Sequence, residues 1–368
     1  MLHERWLAVV RRAPGRPALH EAATGRTWTF AALADEAAER PERGGFVRPC
    51  GRGADFILAT LRGWAAGAVI CPAEETPAGA LRGAALPPEV IHLKQTSGST
   101  GAPRYVAFTA AQLAADADAI VATLGLRPDW PNLGAISLAH SYGFSSLVLP
   151  LLLHGIPLTL AESALPEAVR RTAATGPAWT LPAVPALWRA WREAGAIPPN
   201  VRLAISAGAP LPAALEAEVF RSTGLKVHNF YGSTECGGIA YDATPEPRTD
   251  GAVVGTPLRG VALQRAADGC LVVRGPAVGR GCWPEPDARL GDGCFRAAAF
   301  AELREGGEVR LLGRAADVIN VAGRKAAPEA VEAALRELPG VRECVVFGVP
   351  ETDAARGERV VACAAGTG

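Results

Sequence analysis

The stretch LKQTSGSTGAPRYVAF, Leu93 to Phe108, decides how the rest of the chain is read. Residues 96 to 101 are six consecutive Thr, Ser and Gly, set between two runs of strand character. Glycines at 98 and 101 let the backbone approach a neighbour closely, and hydroxyls at 96, 97, 99 and 100 can donate to anionic oxygens. Arg104 adds a forked positive charge just beyond. No Gly-Lys-Ser/Thr closes the loop, so it is not the GxxxxGK[ST] phosphate loop. Taken alone, it is either a generous surface turn or a backbone that crowds around an anion.

The chain around it has 368 residues, enough for a large core and more than one domain. Its 37 basic and 37 acidic residues cancel, which leaves no electrostatic footprint for nucleic acid or an anionic membrane. Only Lys94, Lys226 and Lys325 are lysine. The eight cysteines are scattered, with no CxxC pair and no matching His spacing, so a zinc site is not expected. The opening MLHERWLAVVRR lacks an apolar signal core, and reduced thiols in a cytoplasm are the expectation. FSSLVLPLLLHGIPLTLA (144–161) has no Asp, Glu, Lys or Arg, but Pro150, Gly155 and Pro157 interrupt it. A membrane span needs about 20 continuous apolar residues. A buried helix, a turn at His154–Gly155 and a buried strand over 156–161 are expected instead.

From residue 27 to about 240, strand-like runs alternate with helical patterns. TWTF (27–30), AVICPA (68–73), VIHLKQT (90–96), LGAISLA (133–139), IPLTLA (156–161), AWTLPA (178–183), VRLAISA (201–207) and KVHNFY (226–231) read as strands. Helices are expected over Ala110–Leu124, Pro182–Glu193 and Pro212–Thr223, the first opened by a Thr109/Gln112 capping box. This alternation predicts an α/β fold with parallel sheets covered by helices. After about 250, Gly and Pro punctuate short strands, which suits a small antiparallel β part. A last unit begins near Gly313, with a helix opening at Pro328 and two strands, CVVFGV and ERVVACAA.

Three further stretches carry chemistry. NFYGSTECGG (229–238) sets Tyr231, a ring able to stack on a base, near Glu235, an oxygen ligand for a hard cation such as magnesium. RLGDGCFR places Asp292 in a Gly-bounded turn, where a carboxylate can accept two neighbouring hydroxyls. GRAADVINVAGRKAAPEAVE (313–332) combines Arg314 with a glycine loop. Each alone is equally an ordinary polar turn.

In this order, with LRGWAAGAVICPAE (61–74), AHSYGF (139–144), ISAGAPLP (205–212) and GTPLRGV (255–261), the motifs resemble the adenylate-forming superfamily of acyl- and aryl-CoA ligases, peptide-synthetase adenylation domains and luciferases. The resemblance runs from about residue 15 to the end. It implies a large N-terminal domain (1–312) that binds ATP and acid, followed by a small truncated α+β lid (313–368). It also implies a ligase that activates a fatty or aromatic carboxylic acid as an acyl-adenylate, with ATP and Mg2+. The acyl group then passes to CoA or to the phosphopantetheine thiol of an acyl carrier protein. A homologue that binds nucleotide and performs only a half-reaction, or serves as a partner subunit, is the alternative.

The resemblance further assigns roles. Thr96, Ser97, Gly98, Ser99, Thr100 and Gly101, with Arg104 where relatives usually have Lys, would hold the β- and γ-phosphates. Gly208, Ala209, Pro210 and Tyr231 would flank the adenine, alongside Gly232, Ser233 and Thr234 of the same motif. Asp292 would take the ribose hydroxyls, Arg314 the ribose-phosphate region, and Glu235 with Thr100 the magnesium. Glu235, Thr100 and Arg104 would be catalytic. His140, Tyr142, Asn229 and Phe230, with Gly232, would line the acyl pocket. AHSYGF has no Asp to pair an α-amine, which tells against an amino-acid substrate. The sequence stops at AAGTG, ahead of the Gly-Lys whose lysine serves adenylation in relatives, so slow adenylation with an intact thiol step is expected. Lys94, two residues before the loop, is the nearest candidate to stand in.

Overall fold

The computed structural model describes residues 1–40, 45–75, 85–96, 104–314, 319–321, 324–326, 328–336, 338–350 and 358–366. They form two compact units, Met1–Ala262 with Arg274–Phe295, and Leu263–Val273 with Arg296–Gly368. Along the chain come strands β1 (Pro17–Glu21), β2 (Arg26–Thr29), β3 (Phe46–Val47), β4 (Val69–Ile70), β5 (Val90–Gln95), β6 (Tyr105–Thr109) and β7 (Asn132–Gly134). Then follow β8 (Leu158–Leu160), β9 (Trp179–Ala183), β10 (Val201–Ser206), β11 (Val227–Ser233), β12 (Gly237–Tyr241) and β13 (Val253–Pro257). After these lie β14 (Ala262–Arg265), β15 (Cys270–Arg274), β16 (Gly281–Trp283), β17 (Leu290–Gly291), β18 (Cys294–Leu303) and β19 (Val309–Arg314).

In the first unit the large sheet runs β13-β12-β11-β10-β9-β7-β8-β1-β2. Its centre, β11 through β1, is parallel throughout, as the strand–helix alternation predicts. Strands β12 and β13 add antiparallel on one side and β2 on the other. Three tryptophans fill one face of this sheet: Trp179, Trp188 and Trp191 are buried, the last two with ring centroids 5.3 Å apart. Each indole N–H has a carbonyl acceptor, so the rings are buried without an orphan donor. The Ala110–Leu124 helix opens with the Thr109/Gln112 capping box and ends at Gly125 in the left-handed region. The 144–161 stretch is a buried helical run ending at His154, a left-handed Gly155 (φ 71°) and β8. No helix among the described residues is long and apolar enough to cross a membrane.

Two expectations shift. The helix expected from Pro182 starts at Pro185, because Pro182 stays in β9, paired in register with Ile205 of β10, and Pro185 takes the first helical turn. The second sheet, β16-β6-β5-β4-β3, is mixed rather than parallel: β3, β4 and β5 run together, while β6 turns back on β5. The nine residues from Thr96 to Arg104 explain the reversal, since a parallel crossover needs a dozen or more.

In the second unit β18 and β19 pair antiparallel. Strand β20 (Ile319–Val321) pairs with β21 (Arg324–Ala326), and the Pro328–Arg336 helix follows. Strands β22 (Val341–Pro350) and β23 (Glu358–Gly366) form an antiparallel pair, with Cys344 and Val346 buried on the side of Glu332.

One buried ion pair ties the two sheets of the first unit together. Lys94 of β5 is 2% exposed, and its ammonium donates to Ser145 Oγ at 2.9 Å and to Asp116 Oδ2 at 3.5 Å, beneath the Phe108 ring. Burial lowers its pKa, and the Asp116 carboxylate opposes that shift. Ser145 donates to Asp116 Oδ2 at 2.5 Å, while Asp116 Oδ1 accepts the Gly238 N–H of β12 at 3.1 Å. Lys94→Met would leave Asp116 charged, buried and unpaired, and should cost about 3–5 kcal/mol in denaturant unfolding. Adding Asp116→Asn keeps an acceptor for Gly238 N–H and removes the orphan charge. The double variant should therefore recover most of that loss; a double variant no more stable than Lys94→Met would show that the pair is not what holds the segments.

Candidate active site

Strands β5 and β6 converge at the Gln95–Tyr105 pair, where the chain leaves for and returns from the 96–104 connection. The Thr96 N–H and hydroxyl both donate to the Arg104 carbonyl, at 2.9 and 3.2 Å, so the two ends of the loop are clamped together. Ser97, Gly98, Ser99, Thr100 and Gly101 lie outside the described residues. On the other side of β6, β16 pairs antiparallel, Trp283 opposite Tyr105. The chain leaving β16 therefore runs alongside the neck of the loop. There Asp287 meets Arg104 at 3.5 Å and Arg289 at 2.6 Å. Hydrogen bonds from Arg289 first, and the charges of both arginines after, hold the Asp287 carboxyl down to about 2. The group thus stays ionised at any working pH, and whatever stability it adds is lost only as pH falls toward that value.

The second wall is the β11–β12 hairpin. Ser233 pairs with Gly237 across the turn that carries Thr234 and Glu235. Gly237 has φ 69°, and a side-chain carbon there would meet Asp116 Oδ1 at 2.1 Å. Gly232 has no room either, since an added carbon would come within 2.5 Å of the Gly237 carbonyl. The Glu235 carbonyl accepts the Gly279 N–H at 2.8 Å, which ties this turn to the segment leading into β16. Glu235 is half-buried, and no cluster of three or more acidic, His or Cys groups surrounds it among the described residues. A single carboxylate fits a magnesium ion that takes its other ligands from phosphate and water.

The remaining candidates sit mostly beyond the carboxyl ends of parallel strands, where ligands of open α/β sheets bind. Gly208, Ala209 and Pro210 follow β10, exposed, with Gly208 at φ 84°. Arg248 braces that turn by donating to the Leu211 carbonyl at 2.9 Å, and it belongs to a buried network with Glu216, Lys226 and Asp242. His140 and Tyr142 follow β7. Tyr142 packs against Phe230, centroids 6.1 Å apart, and its hydroxyl donates to the Ile205 carbonyl at 3.4 Å. Burial pushes that phenol's pKa up, so it is a neutral donor. Asn229 and Phe230 are buried, and Asn229 Nδ2 donates to the Val253 carbonyl at 3.4 Å. His140 is exposed and lies 3.3 Å from Glu74, which also accepts from Ser137. Tyr231 is half-buried on β11, opposite Ala240 of β12. Asp292 is exposed at the β17–β18 turn with φ 52°, and Arg314 ends β19 in the second unit.

Lys94 is no stand-in for a mobile cation, because its ammonium is committed to Asp116 and Ser145 away from solvent. Sequence reasoning missed Asp116, Glu74, Asp287 and Arg289. Asp116 had a readable signal: with Leu113, Ala117 and Ile120 it falls on the apolar stripe of its helix, where a carboxylate needs a buried partner.

Residues 83–283 match the family model described as AMP-binding enzyme. A probable 2-succinylbenzoate–CoA ligase of Mycobacterium tuberculosis is 32% identical over 302 residues, 78% of this chain and 74% of the relative. An anthranilate–CoA ligase of Pseudomonas aeruginosa is 32% identical over 279 residues, 71% of this chain and 53% of that protein. Among solved structures, ATP-bound MatB from Rhodopseudomonas palustris superposes with a TM-score of 0.83 at 21% identity, covering 99% of this chain and 88% of that one. The o-succinylbenzoate CoA synthetase of Bacillus subtilis, in complex with its acyl-adenylate, gives 0.81 at 20% identity over 98% and 87%. With a family model spanning more than half its length and a relative 32% identical over 78% of it, the chain belongs to the AMP-binding enzymes, on the side of the acyl- and aryl-CoA ligases.

Proposed function

We propose that the chain activates an aromatic carboxylic acid with ATP and passes the acyl group to CoA. The observation that carries this is the convergence of Arg104 and the Glu235 hairpin beside the neck of the 96–104 loop, in a chain whose relatives include 2-succinylbenzoate and anthranilate CoA ligases. In the first step the substrate carboxylate attacks the α-phosphorus. An acyl–phosphate bond forms, the α–β anhydride bond breaks, and pyrophosphate leaves with the electron pair. In the second, a thiolate attacks the acyl carbonyl and AMP departs.

The work of this chain's residues is electrostatic. Thr96, Ser97, Gly98, Ser99, Thr100 and Gly101 supply hydroxyl and N–H donors to the β- and γ-phosphates, and Arg104 opposes the charge growing on the leaving pyrophosphate. Glu235, with Thr100, would hold magnesium, which neutralises phosphate charge when bound. Gly208 to Pro210 and Tyr231 to Thr234 frame the base, while Asp292 and Arg314 serve the ribose and its phosphate. The Tyr142–Phe230 ring pair, with His140 and Asn229, forms the acid side and suits a flat ring. Residues 1–312 form the binding part and 313–368 the lid in this reading.

Pyrophosphate release with a panel of benzoates, cinnamates and fatty acids, with CoA or a carrier protein as acceptor, tests the proposal. Turnover should be fastest with an aromatic acid and CoA; no turnover with any acid would overturn it. Glu235→Gln should lower magnesium-dependent kcat/KM by on the order of 10² or more. Its unfolding free energy should stay within about 0.5 kcal/mol of wild type, since the residue sits in a polar turn. Wild-type kinetics in that variant would remove Glu235 from the site.

A further inference from the structure

In the stretch PEPDARL (284–290) only Arg289 and Leu290 belong to a motif, opening RLGDGCFR without a role there, yet the β6–β16 pairing lays the stretch against the neck of the loop. Asp287 is held from three directions there. Arg289 donates to it from Nε (3.1 Å), Nη2 (2.6 Å) and the backbone N–H (3.0 Å). Arg104 approaches its Oδ2 at 3.5 Å. The carboxylate is 14% exposed, whereas the two arginine side chains are 45% and 46% exposed. The shielded anion thus holds Arg289 by hydrogen bonds and pairs with Arg104 by charge, while both arginine side chains stay nearly half exposed. Among the described residues, Nη1 of Arg289 meets no acceptor. Two cations share one anion, so the group presents a net positive charge, and Glu235 is near enough for its charge to strengthen Arg289's hold on its proton, after the Asp287 hydrogen bonds.

Resting on the reading of the 96–104 loop as the triphosphate site, we propose that Arg289 is a second phosphate-gripping residue, set beside Arg104 by their common partner Asp287, and that it takes the β- and γ-phosphates of ATP and the pyrophosphate they become. A forked guanidinium suits this task, because it can spend one edge on the carboxylate and offer the other to a phosphate. A surface ion pair with no ligand role would need neither the second arginine nor the open edges.

The test is calorimetric titration of the intact chain and of Arg289→Gln with ATP, inorganic pyrophosphate and AMP, each with magnesium. AMP shares the nucleoside contacts but lacks the outer phosphates, so it also reports that the variant is folded. Losing charge-assisted hydrogen bonds should weaken ATP and pyrophosphate about 10- to 100-fold and leave AMP within about twofold. Equal binding of ATP by variant and wild type overturns the inference alone, as does a parallel loss of all three ligands. A wild-type chain that binds none of them overturns the nucleotide reading and the inference with it.

Discussion

The first unit is organised by one charge pair that no water reaches. Lys94, Asp116, Ser145 and Gly238 come from β5, the Ala110–Leu124 helix, the 144–148 helical turn and β12, and all four meet at one carboxylate. Removing two charges from water costs several kcal/mol each, and the mutual attraction offsets this only when further hydrogen bonds support the pair. Here the requirement is met: one Asp116 oxygen takes the Ser145 hydroxyl and the ammonium, and the other takes a backbone N–H. The consequence is a fixed register. If β5 slid by one residue, Lys94 would turn to the opposite face and Asp116 would be left alone. The hairpin that carries the 96–104 loop, the turn that carries Glu235 and the 144–148 helical turn are therefore set relative to one another by the same contact.

What the sequence made legible was what is local. The capping box, the helix over 110–124, the turn at Gly155 and the parallel placement of 133–139 and 201–207 follow from patterns within a few residues, and the structure has them. The strand expected over 133–139 shortens to Asn132–Gly134, since the chain leaves the sheet there toward His140 and Tyr142. Non-local pairing left no such trace. Nothing near Tyr105 announces that Trp283 will pair with it, so the placement of Asp287 and Arg289 at the loop could not be read. Their sequence, PDARL, has the texture of a plain turn. Asp116 was hidden differently: the stripe Leu113, Asp116, Ala117, Ile120 reads as apolar unless one asks where the odd carboxylate goes.

The scarcity of lysine takes on a physical meaning in the first unit. Both of its lysines are interior: Lys94 with Asp116, and Lys226 with Glu216 and Asp242. A compact ammonium with three donors suits a point where several oxygens converge at short range. The solvent-facing cations at the loop are arginines instead, Arg104 and Arg289. A guanidinium is planar, always charged and donates along two edges, so one carboxylate can orient a pair of them without exhausting either. A lysine at either position would keep its charge and spare donors, but it lacks the planar fork that pairs one edge with a carboxylate while the other edge stays directed outward. The sheet topology thus does more than carry the loop. By pairing β16 against β6, it selects which side chains stand at the mouth, and they are arginines, whose geometry would let an ion pair serve as the proposed anion site.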